Sequence, residues 1–272
     1  MTEGAGFIVH RPFPVPGVSQ FDPILLIDEM GPVDYKPGEA KGAPDHPHRG
    51  FETVTYIIEG AMQHEDSHGH RGVIRNGDVQ WMTAGAGVIH SEMPTPQILR
   101  DGGRMHGFQV WINLPSARKM MQPRYQEYAA AQLPLVQDGG TWTRVIAGEF
   151  EGRRSPIETV VPTTMVHLRL SPRVESAFFV MGGSNAVVHV IAGSGSVEGT
   201  HVRERQVALL TSSPASVHIT AGPAGFEALF ISGTPIGEPV VRYGPFVMNT
   251  REEIAQAIAD LQAGRFSEIA RT

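Results

Sequence analysis

The sequence has no cysteine among its 272 residues. That excludes disulfide staples, thiolate metal sites and cysteine nucleophiles together. Any metal must then be held by imidazole nitrogens and carboxylate oxygens. Long hydrophobic runs are also missing, since no apolar stretch approaches the roughly 18 residues that a membrane-spanning helix needs. The opening MTEGAGFIVHRPFPVPG lacks a basic segment followed by an apolar run. No secretory signal is read there, no membrane association is expected, and a cytoplasmic location is. No lysine-rich block or basic stripe occurs, and the net charge is −6. Direct binding to nucleic acid is therefore not expected. The cationic residues are mostly scattered arginines, read as surface and salt-bridge groups.

Glycine (31) and proline (21) are frequent, and they separate short apolar runs. TVTYII (53–58), GFQVWINL (107–114), AVVHVIA (186–192), RQVALL (205–210) and EALFISG (227–233) are rich in β-branched and aromatic residues. They read as strands, and short strands at even spacing predict an all-β barrel or sandwich. Helical signals are few. SARKMM (116–121) is one candidate. The other runs over about 250–263: Thr250 can cap, Glu253 completes a capping box, and Ile254, Ile258 and Leu261 follow at helical spacing before Gly264.

Three pairs of segments recur in order. YIIEG (56–60) matches VIAGSG (190–195), GDVQWMTAGAGVIHSEM (77–93) matches ERQVALLTSSPASVHIT (204–220), and GFQVWINLP (107–115) matches FEALFISGTP (226–235). This diverged duplication predicts two barrels of similar topology, 1–132 and 141–272, with a linker over Leu133–Gly140.

Seven of the twelve histidines lie between His46 and His106. His46 and His48 are two apart in PDHPHRGFETVTYIIEG. Alternate side chains of a strand share a face, so both imidazoles can point into one barrel. His90 and Glu92 repeat that spacing in VIHSEM, where a second strand can present them to the same point. Three imidazoles and a carboxylate suit Fe(II), Mn(II), Ni(II), Co(II), Cu(II) or Zn(II) without choosing among them. Glu52 shares strand parity with His48 if the strand stays regular across Gly50, so Glu52 and Glu92 both remain candidate ligands on spacing alone. His64, His68 and His70 fall in HEDSHGH, read as a solvated hairpin tip. His106 starts a strand and is a candidate for the pocket mouth. Phe51, Met62 and Trp81 read as core or pocket wall. TAGAG (83–87) lacks the lysine and hydroxyl residue of a phosphate loop and reads as a turn.

HPHRGFETVTYIIEG, HEDSHGH, GDVQWMTAGAGVIHSEMP, MHGFQVWINLP and the closing GPFVMNTREEIAQAI resemble the successive signatures of the pirin family, within the cupin superfamily. The resemblance spans nearly the whole chain. It implies a bicupin fold of two cupin-type β-barrels with a short C-terminal helix. It also implies one metal ion, usually iron, in the N-terminal barrel, held by His46, His48, His90 and Glu92. Glu92 is thereby ranked above Glu52, with Glu92 also the candidate general base and Glu52, His106 and Phe51 in supporting or pocket positions. For bacterial members the resemblance implies a quercetin 2,3-dioxygenase-like activity on a flavonol and O2. The alternative it implies is a metal- or redox-sensing protein that binds a transcriptional or metabolic partner. In the second repeat, His218 falls opposite His90, Thr220 opposite Glu92, and Phe179 and Met181 opposite His46 and His48. Three of the four ligand types are lost, so the second barrel is expected to hold no metal.

Overall fold

The computed structural model describes residues 1–212 and 216–270. In chain order its first strands are β1 (Thr2–Glu3), β2 (Phe7–Phe13), β3 (Ile24–Tyr35), β4 (Ala43–His48), β5 (Phe51–Glu59) and β6 (Ala61–Asp66). Next come β7 (Arg71–Arg75), β8 (Val79–Thr83), β9 (Val88–Pro94), the short helix α1 (Pro96–Asp101), β10 (Gly103–Asn113) and β11 (Arg124–Tyr128). The middle of the chain holds β12 (Leu135–Asp138), β13 (Thr141–Ala147), β14 (Glu149–Phe150), β15 (Arg153–Arg154), β16 (Thr163–Leu170), β17 (Glu175–Phe179) and β18 (Asn185–Val197). It continues with β19 (Thr200–Arg203), β20 (Val207–Leu210) and β21 (Ser216–Gly233). The chain closes with β22 (Val241–Tyr243), β23 (Phe246–Met248) and the helix α2 (Arg251–Gln262). No helix among the described residues is long and apolar enough to cross a membrane.

Two compact units result, and they interleave in sequence. The first contains residues 1–14, 24–130 and 237–272, and the second contains 15–23 and 131–236. These units differ from the expected division at 1–132 and 141–272 at both ends. Residues 237–272 join the first unit because Ile254 and Ala257 of α2 bury against Phe246, Met248, Phe266 and Ile89. Residues 15–23 join the second unit, where the Asn185 side chain donates to the Asp22 carbonyl at 2.7 Å. Neither tie is visible in local sequence.

Helix α2 carries the expected capping box: Thr250 Oγ1 accepts from the Glu253 amide at 3.1 Å, and Glu253 Oε2 accepts from the Thr250 amide at 3.0 Å. The expected helix over 116–121 shrinks to a 3₁₀ turn at Ser116–Arg118. Lys119 turns inward instead. Its buried ammonium donates to the Gly50 carbonyl (2.8 Å), Asn113 Oδ1 (2.6 Å) and the Val247 carbonyl (3.0 Å). All three ammonium protons have acceptors, as a buried lysine requires.

Apart from the two-stranded β22-β23, the first unit has two larger sheets, both antiparallel in every described pairing. One has seven strands in the order β1-β2-β3-β10-β5-β8-β11; the other has four, β4-β9-β6-β7. The second unit is built around an eight-stranded sheet whose main path is β12-β13-β16-β21-β18-β19. Its core takes alternate residues of each long strand, such as Val166, Leu168 and Leu170 of β16 and Ala186, Val188 and Val190 of β18. This is the period-2 burial of a sheet with one apolar face. Strand β5 differs, because Phe51 through Ile57 are buried on both faces. That fixes two separate environments for its odd- and even-numbered residues.

Candidate metal centre

Strand β4 carries His46 and His48, with the stiff Pro47 between them. It pairs with β9 so that His46 stands directly across from His90. Cross-strand neighbours approach closely, and the ring centroids of His46 and His90 are 4.2 Å apart. Those of His46 and His48 are 4.8 Å apart, and those of His48 and His90 4.9 Å. One ring nitrogen from each of the three lies within 4.8 Å of the other two.

His48 and His90 are 3% and 0% exposed. Burial, reinforced by His46, holds His48 well below the usual imidazole range; the Pro245 carbonyl opposes the shift and Arg242 adds to it. Burial, then His46, His48 and His64, does the same to His90. Both rings are therefore neutral at pH 7 and keep a lone pair. The His46 ring is oriented by its backbone: Nδ1 lies 2.8 Å from the Pro44 carbonyl, which can only accept, so Nδ1 carries the proton and Nε2 the lone pair. Neither nitrogen of His48, nor Nε2 of His90, has a hydrogen-bond partner of normal geometry among the described residues. An unsatisfied buried polar atom costs about 1–3 kcal/mol, and three converging imidazoles are the donor set of a divalent transition metal. The residues present fit a metal ion.

Glu92 sits two residues beyond His90, on the same face of β9, and is buried. Its Oε1 accepts from Thr55 Oγ1 at 2.6 Å and from Gln109 Nε2 at 3.3 Å. It stands outside the 4.8 Å cluster, which contains the three imidazoles alone. Glu52 is placed elsewhere. Gly50 adopts φ +88°, so the strand does not run regularly from His48 into β5, and the parity expected on spacing is re-phased. The odd residues of β5 face the imidazoles: the Phe51 ring is 5.1 Å from that of His48, and Thr55 bonds Glu92. Glu52 faces the other side, accepting from Thr83 Oγ1 at 2.7 Å. His106 also lies off the site, its Nε2 2.9 Å from Glu29 Oε1. A cavity of about 410 Å³ opens on the imidazoles, lined by His46, His48, Gln109, Trp111, Arg11 and Arg242 among others. Phe51 packs behind it, 4.4 Å from Trp111.

One residue of the site was misplaced by sequence reasoning. His64 is no loop residue; it lies in β6, fully buried. Its Nδ1 is 3.5 Å from His90 Nδ1. The signal was the alternation in AMQHED, whose even positions Met62, His64 and Asp66 are all buried. The turn proper begins only at Ser67, and His68 and His70 lie within it.

The pirin family model matches residues 6–112, and the pirin C-terminal cupin domain model matches residues 165–267. The chain belongs to the pirin family. It is 38% identical to human pirin over 266 residues, covering 96% of this chain and 88% of that one. A pirin-like protein of tomato is 40% identical over 274 residues, with 97% and 88% covered. A Pseudomonas aeruginosa protein named as a candidate quercetin 2,3-dioxygenase is 40% identical over 267 residues, with 97% and 93% covered. Among solved structures, a quercetin 2,3-dioxygenase of Acinetobacter baumannii superposes with a TM-score of 0.92 at 38% identity, covering 98% of this chain and 94% of that one.

Among the described residues, the second cupin unit of this pirin does not repeat the constellation. No group of three clustered His, Asp or Glu residues lies within it among the described residues. His218 pairs across β17 with Ala177. Phe179 and Met181 are 82% and 60% exposed.

Proposed function

We propose that this pirin is a metal-dependent dioxygenase of the quercetin 2,3-dioxygenase type. The observation that carries the reading is the convergence of three imidazoles, two of which, His46 and His48, line a cavity of about 410 Å³, within the size range of small-molecule sites. The substrate class is a flavonol, opened by O2 with loss of carbon monoxide. A relative and a solved structure bearing that activity in their names support it.

His46, His48 and His90 would hold the ion, with Glu92 as fourth ligand, and iron(II) is the proposed native metal. When bound, the ion supplies a Lewis acid for the flavonol 3-hydroxyl and a redox partner for O2. Glu92 would take the proton of that hydroxyl as general base. Thr55 and Gln109 both donate to Oε1 and so fix the carboxylate plane. Trp111, backed by Phe51, offers a flat apolar wall that excludes water from one side of the cavity.

The test is aerobic incubation of quercetin with protein loaded in turn with Fe, Mn, Ni, Co and Cu. Flavonol absorbance should fall with at least one ion, and His48→Ala should abolish the loss. No loss with any ion would overturn the enzymatic reading. A redox-sensing protein that binds a partner would then be tested by pull-down with Fe(III)-loaded protein.

A further inference from the structure

Two buried groups, His64 and Asp66, stand in line behind His90. Asp66, 2% exposed, accepts from the His68 amide at 2.7 Å and the His70 amide at 3.0 Å, and its Oδ2 lies 3.1 Å from His70 Nδ1. A carboxyl group surrounded by donors is an acceptor. Its Oδ2 also lies 3.6 Å from His64 Nε2. His64, with no exposed surface, then places Nδ1 3.5 Å from His90 Nδ1. These spacings are long, and they are of the kind that shortens when a ligand engages the far end of a chain.

The proton positions follow from elementary valence. Next to a carboxylate, His64 Nε2 is the protonated nitrogen. With the ring's single proton on Nε2, Nδ1 is the accepting nitrogen that faces His90. Two facing nitrogens cannot both present lone pairs, so His90 Nδ1 carries a proton. That leaves the lone pair of His90 on Nε2, the atom that is buried and without a hydrogen-bond partner among the described residues.

We propose that His64, anchored by Asp66, is a positioning residue that fixes His90 in its Nδ1–H tautomer and aims the Nε2 lone pair at the metal. The inference rests on the imidazole cluster being the metal site. Outer partners of this kind are worth about 10–100-fold in metal affinity.

His64→Leu and His64→Gln separate positioning from packing. Leucine fills the space with neither donor nor acceptor. Glutamine can accept from His90 through its carbonyl and donate to Asp66 through its amide. The first readout is the ¹⁵N imidazole spectrum of the metal-free full-length protein, which distinguishes the two tautomers directly. His90 should be Nδ1–H in the parent and in H64Q, and mixed or Nε2–H in H64L. The second is Zn(II) affinity by chelator competition, where H64L should lose ten-fold or more and H64Q should stay within about three-fold of the parent. A parent His90 in the Nε2–H tautomer overturns the proposal whatever the variants do. So does an unchanged tautomer in H64L, or equal Zn(II) loss in both variants. A parent with the expected tautomer that binds no divalent ion overturns the metal reading instead.

Discussion

Gly50→Ala tests the turn that decides which carboxylate faces the imidazoles. Gly50 has φ +88°, a region that costs an alanine about 1–2 kcal/mol. An added Cβ would also lie 2.1 Å from the Val247 carbonyl oxygen and 2.8 Å from Met248 Sδ. The backbone cannot simply back away. The Gly50 amide donates to the Gly85 carbonyl at 2.9 Å, and Lys119 clamps the Gly50 and Val247 carbonyls at 2.8 and 3.0 Å. Overpacking of this kind costs a further ~1–3 kcal/mol, for a total of about 2–5 kcal/mol. At roughly 2–4 °C per kcal/mol for a domain of this size, calorimetry should show unfolding lowered by about 5–15 °C. His48 lies two residues upstream, so Zn(II) affinity should drop by at least about ten-fold, as for other losses of ligand placement. Gly38→Ala is the control: φ is +80°, but nothing lies within 4 Å of its Cβ, so it carries the conformational cost alone. If G50A matches G38A in both melting temperature and Zn(II) affinity, the account of this junction is wrong.

The two carboxylates should separate cleanly. Glu92→Gln should weaken Zn(II) binding by about 10–100-fold, whereas Glu52→Gln should leave metal affinity unchanged; equal effects in a competition assay would contradict the assignment of faces. In the second unit, burial would raise the Glu227 carboxyl, but hydrogen bonds from His167 and Arg169 outweigh it and bring its pKa down to about 2 from 4.5. The difference of 2.5 corresponds to ~3.4 kcal/mol at full coupling, or about 1–2 kcal/mol after discounting for its partial exposure. Because the folded pKa is the lower one, that stability is present above pH 4.5 and lost as pH falls toward about 2. Glu227→Gln should therefore destabilise at pH 7 and flatten acid denaturation across that window, as read by urea titrations at several pH values. Thr250→Ala removes the hydroxyl half of the α2 capping box and should cost about 1 kcal/mol, measurable as reduced amide protection in residues 251–254.

Local chemistry in the sequence determined much of this protein. Strand alternation put His46 with His48 and His90 with Glu92, because side chains two apart share a face whatever the fold around them. The lack of cysteine limited the donors to nitrogen and oxygen. Thr250 and Glu253 marked the start of the last helix, since a capping box is satisfied within four residues. Tertiary structure decided the rest. The positive φ of Gly50, which packs its bare α-carbon against Val247, re-phased β5 and sent Glu52 to the other face of its sheet. The burial of His64 depended on its ring packing against His90 and Tyr125, residues from distant strands. The division of the chain depended on where α2 found an apolar surface, and residues 246–266 found it against Ile89, more than 150 positions earlier. Contacts between residues so far apart in sequence depend on the packing of the folded chain, which no local pattern encodes.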